Sequence, residues 1–93
     1  MATDKIRVFG TSMEPIIRSG ALLTIKKSAH YEVGDIVCFR GKGLRSLLLT
    51  YCHRIISVDR RRKTFTAKGD NRMESSPFET DVPLSHIQAK VML

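Results

Sequence analysis

Residues 47–58 read LLLTYCHRIISV, a run dominated by leucine, β-branched and aromatic side chains. Such a composition is typical of a β-strand, and the length predicts an unusually long one. Side chains alternate between the two faces of a strand, so His53 shares a face with Tyr51 and Ile55, and Cys52 and Arg54 take the other. The sequence therefore predicts a histidine that projects from a rigid element.

The rest of the chain has the same β character. Short β-rich runs punctuated by glycine recur, and no repeat or long helical periodicity interrupts them. The predicted strands are residues 6–9, 21–26, 36–40, 47–58, 64–68 and 87–92. Residues 64–68 are expected to pair with the long strand across the basic turn at 60–63. Only residues 14–18 indicate a short helical turn, so the predicted fold class is mostly β.

Length and composition bound the organisation. The chain has 93 residues, of which 42% are hydrophobic and 27% charged, typical of one compact globular domain. No apolar run approaches the roughly 20 residues that cross a bilayer, and the first residues lack a signal-segment pattern. We therefore expect a single soluble domain over residues 1–93, without a transmembrane anchor.

The charge is strongly basic. The formal net charge is +7, and the run RRRK at residues 60–63 contributes to it. This excess suits an anionic partner, and a peripheral contact with a membrane surface is one option. The run also fits a solvated hairpin tip, which is the interpretation we favour. Nucleic acid is not an expected partner, because no helix-turn-helix pattern precedes the domain.

The two cysteines and the spare histidines predict no metal or cofactor. Cys38 and Cys52 lie in apolar strand-like runs and lack metal-site or redox-motif spacing, so buried thiols are expected, and a bridge between them stays open. Two cysteines without a secretory signal favour a reducing compartment. His30 and His86 have no partners at ligand spacing.

Ser12 is the candidate nucleophile. It lies in GTSMEP at residues 10–15, where a strand is expected to turn. A serine hydroxyl attacks a carbonyl only when a neighbouring base removes its proton, and His53 is the candidate base. Each residue alone is weak evidence, but the chain also contains a Gly-Asp-Asn corner at residues 69–71 that can come close to both.

These segments together resemble a known family. GTSMEP at 10–15 is similar to the nucleophile box of type I signal peptidases and of the related self-cleaving SOS-response repressors. GDIV at 34–37 is similar to the strand box that follows. HRII at 53–56 resembles the base box of the endoplasmic-reticulum and archaeal branch, which uses histidine. KGDNR at 68–72, with the serines at 75–76, resembles the last box. Four boxes in the right order make the match specific.

The resemblance implies the twisted, partly barrel-like β-sheet of signal peptidases and LexA-like repressors. It also implies a serine endopeptidase with a Ser12–His53 pair. The oxyanion would bind backbone N–H groups of the turn that holds Gly10, Thr11 and Met13. Gly10 stands where bacterial signal peptidases carry an extra hydroxyl that helps to bind the oxyanion. The hydroxyl of Thr11 could serve instead. Met13 is expected to pack the turn.

The third catalytic member is less defined. Asp70 matches the Gly-Asp box and is our choice for orienting His53, although the carboxylate of a turn residue can equally cap its own turn. The histidine branch generally has a later aspartate, whose place is taken here by Ser76. The substitutes that the sequence offers are Glu74, Glu79 and Asp81. Arg54 is expected to form a structural ion pair.

The expected substrate is an extended peptide or precursor protein that adds to an exposed strand near residues 6–9 or 49–52. The alternative function is a catalytically silent, repressor-like binding or dimerisation domain. Signal peptidases act at the outer face of a membrane, whereas the cysteines favour a reducing compartment. The sequence leaves the location open between cytoplasmic and membrane-associated, and it leaves the oligomeric state open.

Overall fold

The computed structural model describes residues 3–42 and 50–93. The described residues form seven strands: β1 (Asp4–Arg7), β2 (Leu22–Lys26), β3 (Ile36–Arg40), β4 (Thr50–Asp59), β5 (Thr64–Lys68), β6 (Val82–Pro83) and β7 (Ile87–Met92). Their helical segments are two short 3-10 turns, Pro77–Glu79 and Leu84–His86. The predicted mostly β fold is confirmed.

The strands follow the sequence pattern closely. β3, β5 and β7 have the predicted bounds, while β1 begins at Asp4 and ends at Arg7. The long strand is described from Thr50, and its predicted first residues, 47–49, lie outside the described residues. Residues 14–17 lie in a hydrogen-bonded turn, in which the Ile17 N–H donates to the Met13 carbonyl at 2.9 Å, and Arg18 lies just after it.

All strands join one antiparallel sheet in the order β1-β2-β7-β3-β4-β5-β6, which curls into a half-barrel. β4 is its longest strand. The first half of β4 pairs with β3, and the second half pairs with β5 around a bulge between Ile55 and Ser57. His53 lies in the half that pairs with β3, next to Arg54, where the pairing with β5 begins, so a neighbouring strand holds its backbone.

The core occupies both faces of the sheet. β3 has β4 on one side and β7 on the other, and its residues 36–39 are all buried. Alternate side chains of a strand point to opposite faces, so a strand covered on both faces is apolar throughout. Cys38 belongs to a first cluster with Met13 and Leu23, and Phe39 belongs to a second with Phe65.

The first cluster anchors the segment that carries Ser12, which we call the serine turn (residues 10–17). Met13 and Ile17 are buried in that cluster. Gly10 opens the turn with a φ of 101°, a conformation that favours glycine, and its N–H donates to the Ser19 hydroxyl at 2.9 Å. The turn is therefore fixed to the core, while Ser12 itself is only partly buried.

No helix within residues 3–42 and 50–93 combines the length and apolarity that crossing a lipid bilayer requires.

Candidate active site

The structure brings Ser12 and His53 into direct contact. The Ser12 Oγ lies 2.8 Å from the His53 Nε2, although 41 positions separate the two residues. His53 projects from β4, where it pairs with Val37 of β3, and its side chain is 12% exposed. A hydroxyl at this distance can donate its proton to the ring along an existing hydrogen bond.

The other ring nitrogen of His53 faces a buried carboxylate. The Glu79 Oε2 lies 2.9 Å from the His53 Nδ1, and Glu79 is 3% exposed. An ionised carboxylate can only accept, so the neutral ring carries its proton on Nδ1 and Nε2 is left to accept from the Ser12 hydroxyl. Glu79 closes the 3-10 turn Pro77–Glu79, whose own backbone bond joins the Glu79 N–H to the Ser76 carbonyl.

Asp70 has a different partner from the one that the sequence favours. Its two carboxylate oxygens accept from the Nε and Nη2 of Arg54, each at 2.9 Å. Arg54 also donates from Nη1 to the Gly34 carbonyl at 2.8 Å. These hydrogen bonds, with the nearby positive charge, hold the pKa of Asp70 below its ordinary value and raise that of Arg54. Asp70 thus joins the corner after β5 to the residue that follows His53.

The two remaining acidic candidates, Glu74 and Asp81, are exposed. In the part of the chain that the structure describes, neither side chain has a hydrogen bond to His53. Glu74 lines the groove described below, and the Asp81 N–H donates to the Thr66 hydroxyl. Of the four carboxylates that the sequence offers, Glu79 is the one in contact with the ring.

The Gly-Asp-Asn corner (residues 69–71) is hydrogen-bonded to the serine turn. The Asn71 N–H donates to the Ser12 carbonyl at 2.7 Å, and the Asn71 side-chain amide donates to the Thr11 carbonyl at 3.0 Å. The Asp70 N–H approaches the Met13 sulfur at 3.2 Å. A Cβ on Gly69 would lie 2.7 Å from the Ser12 carbonyl oxygen, so only glycine allows this approach.

These bonds also orient two backbone donors. A peptide group is planar, so fixing a carbonyl fixes the N–H on the other side of the same group. The anchored Thr11 and Ser12 carbonyls therefore set the directions of the Ser12 and Met13 N–H groups. Within the described residues neither N–H donates a hydrogen bond. Such paired free donors can bind a developing oxyanion.

Ser12 and His53 line a groove of about 1450 Å³. Its walls include β1 with the segment after it, part of β4 and the loop before Glu79, and several of their side chains are apolar: Ile6, Val8, Phe9, Tyr51 and Phe78. A long, partly apolar groove that contains the reactive pair can hold an extended chain with its backbone beside the serine.

A family model for Peptidase S24-like proteins matches residues 4–91. The chain belongs to the peptidase S24-like family. This confirms the superfamily that the four boxes predict, the group that unites signal peptidases with LexA-like repressors. The S24-like family includes serine peptidases and also members without catalytic activity. No curated protein and no solved structure matches the chain.

Sequence reasoning named Glu79 only as a substitute. It lies in a polar, irregular segment, 72–81, where no periodicity indicates burial, and the nearby Pro77 is its only local structural signal. Among residues 3–42 and 50–93, no group of three or more histidine, cysteine, aspartate or glutamate side chains is arranged to hold a metal ion.

Proposed function

We propose that this S24-like protein is a serine endopeptidase of the signal peptidase type. Ser12 is the nucleophile, His53 the general base and Glu79 the group that orients the base. The observation that carries the proposal is the unbroken chain from the Ser12 hydroxyl through both ring nitrogens to a buried carboxylate, with distances of 2.8 and 2.9 Å. Such a relay is the working arrangement of serine hydrolases.

The geometry supports a two-step reaction. His53 Nε2 takes the hydroxyl proton as the Ser12 Oγ attacks the peptide carbonyl, and the carboxylate of Glu79 stabilises the imidazolium that forms. The Ser12 and Met13 N–H groups donate to the oxyanion, and each well-placed donor lowers the barrier by about 3 kcal/mol. The imidazolium returns the proton to the leaving amine, and a water then hydrolyses the acyl-enzyme by the same route.

The proposed substrate is an extended segment of a peptide or precursor protein. β1 stands at one end of the sheet order, so within the described residues its outer edge has no strand partner. An added strand gains main-chain hydrogen bonds at such an edge, and its alternate side chains enter pockets. The resemblance to signal peptidases adds a preference for small residues before the cut.

The proposal is tested by reactivity. Intact protein is treated with a fluorophosphonate, a serine-directed electrophile, and the adduct is located by mass spectrometry; a peptide library is digested in parallel. We expect labelling of Ser12 and cleavage of a subset of peptides. Ser12→Ala should abolish both, and His53→Gln should slow both by about 10²- to 10⁴-fold. Ser85→Ala, which changes an exposed serine outside the groove, is the matched control.

The opposite result would identify a different class of protein. If the folded wild-type chain is not labelled at Ser12 and cleaves no peptide, the peptidase proposal fails. The chain would then be grouped with the non-catalytic members of the family, as a binding or dimerisation domain.

A further inference from the structure

The two cysteines stand directly opposite each other in the sheet. Cys38 of β3 pairs with Cys52 of β4, and their sulfur atoms are 2.7 Å apart, with both cysteines free thiols. Directly opposed residues of antiparallel strands have Cα atoms about 4.5–5.5 Å apart. A disulfide needs a Cα separation of about 4.4–6.8 Å. The backbone positions of this pair therefore meet the requirement without moving a strand.

The position of the two cysteines in the strand ladder also favours a disulfide between them. The Ile55 N–H donates to the Asp35 carbonyl at 2.8 Å, so residues 35 and 55 occupy a hydrogen-bonded position. Hydrogen-bonded and non-hydrogen-bonded positions alternate along an antiparallel ladder. The continuous register from Ile36 to Arg40 then makes Cys38 and Cys52 a non-hydrogen-bonded pair, the type with closer side chains.

The two thiols differ in access and acidity. Cys38 is 2% exposed, whereas Cys52 is only partly buried; both border the groove. The hydrogen bond between the thiols lowers the pKa of Cys52, while the same bond and burial raise that of Cys38. A thiolate is the attacking species in disulfide exchange. Cys52 is thus suited to attack a reagent in the groove. The less exposed Cys38 lies directly opposite Cys52 in the ladder.

We propose that Cys38 and Cys52 form a thiol–disulfide modification site that reacts with small disulfides entering the groove. The Cys52 thiolate attacks one sulfur of the reagent, forms a mixed disulfide and expels one thiolate. Cys38 then loses its proton to solvent and attacks the Cys52 sulfur, which expels the second thiolate. Overall, the reaction consumes two protein thiols and one small disulfide, and it produces one protein disulfide and two small thiols.

This site is independent of the proposed peptidase activity, because neither step uses Ser12 or His53. In the ladder, Cys52 pairs with Cys38 of the first cluster, while the adjacent His53 pairs with Val37 of the second. The two residues therefore project from opposite faces of β4. A failure of one proposal leaves the other unaffected.

The test uses the folded, reduced protein and oxidised glutathione as the probe. At intervals the free thiols are capped with an alkylating reagent and the intact mass is measured. We expect both thiols to be lost together in a monomer that is lighter by two hydrogens and carries no glutathione. Dithiothreitol should restore both thiols. The oxidised protein should have a higher midpoint of urea unfolding, because the bond restricts the unfolded chain.

Two variants test the order of attack. Cys38→Ser should stop at the mixed disulfide on Cys52, which forms at a rate within about threefold of wild-type thiol loss. Cys52→Ser leaves only the buried Cys38 and should react at least tenfold more slowly. The proposal is overturned if wild-type protein keeps both thiols, forms only disulfide-linked dimers, or closes the bond only in denaturant. The wild-type result stands without either variant.

Discussion

Replacing Gly69 with alanine should displace Ser12 and slow its chemistry. The new Cβ would lie 2.7 Å from the Ser12 carbonyl oxygen and 3.0 Å from the Ser12 Cβ. Ordinary van der Waals contact begins at 3.4 Å, so the two segments must separate by about 0.7 Å. Neither neighbour is the end of a flexible side chain, and the strain therefore falls on the backbone of the serine turn.

The size of the effect follows from two distances. A shift of that size lengthens the 2.8 Å contact between Ser12 and His53 and the 2.7 Å bond from Asn71 to the Ser12 carbonyl. A misplacement of about 1 Å can cost about 10²-fold in rate. We therefore expect a loss of about 10- to 100-fold, or roughly 1.4–2.7 kcal/mol of barrier. Overpacking should also cost about 1–3 kcal/mol of unfolding free energy.

The assay is the second-order rate of Ser12 labelling by a fluorophosphonate, which requires no natural substrate. Val91→Ile is the matched control, since it adds a methyl group to the first cluster at β7 and brings a comparable overpacking cost without touching Ser12. The control should label at the wild-type rate. Suppose that Gly69→Ala is destabilised as much as the control and is still labelled at the wild-type rate. That result would refute the positioning role of the Gly-Asp-Asn corner.

Three further results are expected. Glu79→Gln should reduce the labelling rate by about 10²- to 10⁴-fold, because the amide no longer stabilises the imidazolium of His53; an unchanged rate would remove Glu79 from the mechanism. Asp70→Asn should cost about 1–2 kcal/mol of unfolding free energy at pH 7, since its ion pair with Arg54 is partly exposed. Because Arg54 lowers the pKa of Asp70 in the folded state, this stabilisation is complete above about pH 5 and is lost as the pH falls below about 4. Urea titrations from pH 3 to 7 should therefore show a flatter acid limb for Asp70→Asn than for wild type, and equal limbs would contradict the linkage. Asn71→Ala keeps the backbone hydrogen bond to the Ser12 carbonyl but loses the side-chain hydrogen bond to the Thr11 carbonyl. The labelling rate should therefore fall only about 3- to 10-fold below that of wild type.

Much of the fold could be predicted because strand formation is signalled locally. The bounds of β3 and β5 follow from β-rich runs that end at a charged residue followed by glycine, and β7 follows the alternation of Ile87, Ala89 and Val91 with more polar or exposed side chains. The continuous burial of β3 is also consistent with its unbroken apolar sequence, IVCF at 36–39. The curl of the sheet depends on the twist and pairing of all strands together, and for this reason the resemblance rather than any single segment indicated it.

Ser12 and His53 could be singled out because each stands in a motif that is readable over a few residues. The carboxylate that contacts His53 could not be singled out, since four acidic side chains offer the same chemistry. Pairing decides among them: β5 places Lys68 opposite Arg54, so Asp70, two residues later, meets the guanidinium. The ion pair that the sequence predicts for Arg54 is present. Its partner is Asp70, the residue that the motif favoured for orienting His53.

The sequence by itself determined a mostly β domain with a serine and a histidine in the motifs of one superfamily, because local composition and spacing are sufficient for both. Only the tertiary structure decided which groups meet. It brings the Ser12 hydroxyl to His53 across 41 positions, buries Glu79 against the same ring and closes Gly69 onto the serine turn. These contacts depend on how distant segments pack, and distances between distant segments are set by the whole sheet rather than by any one stretch of chain.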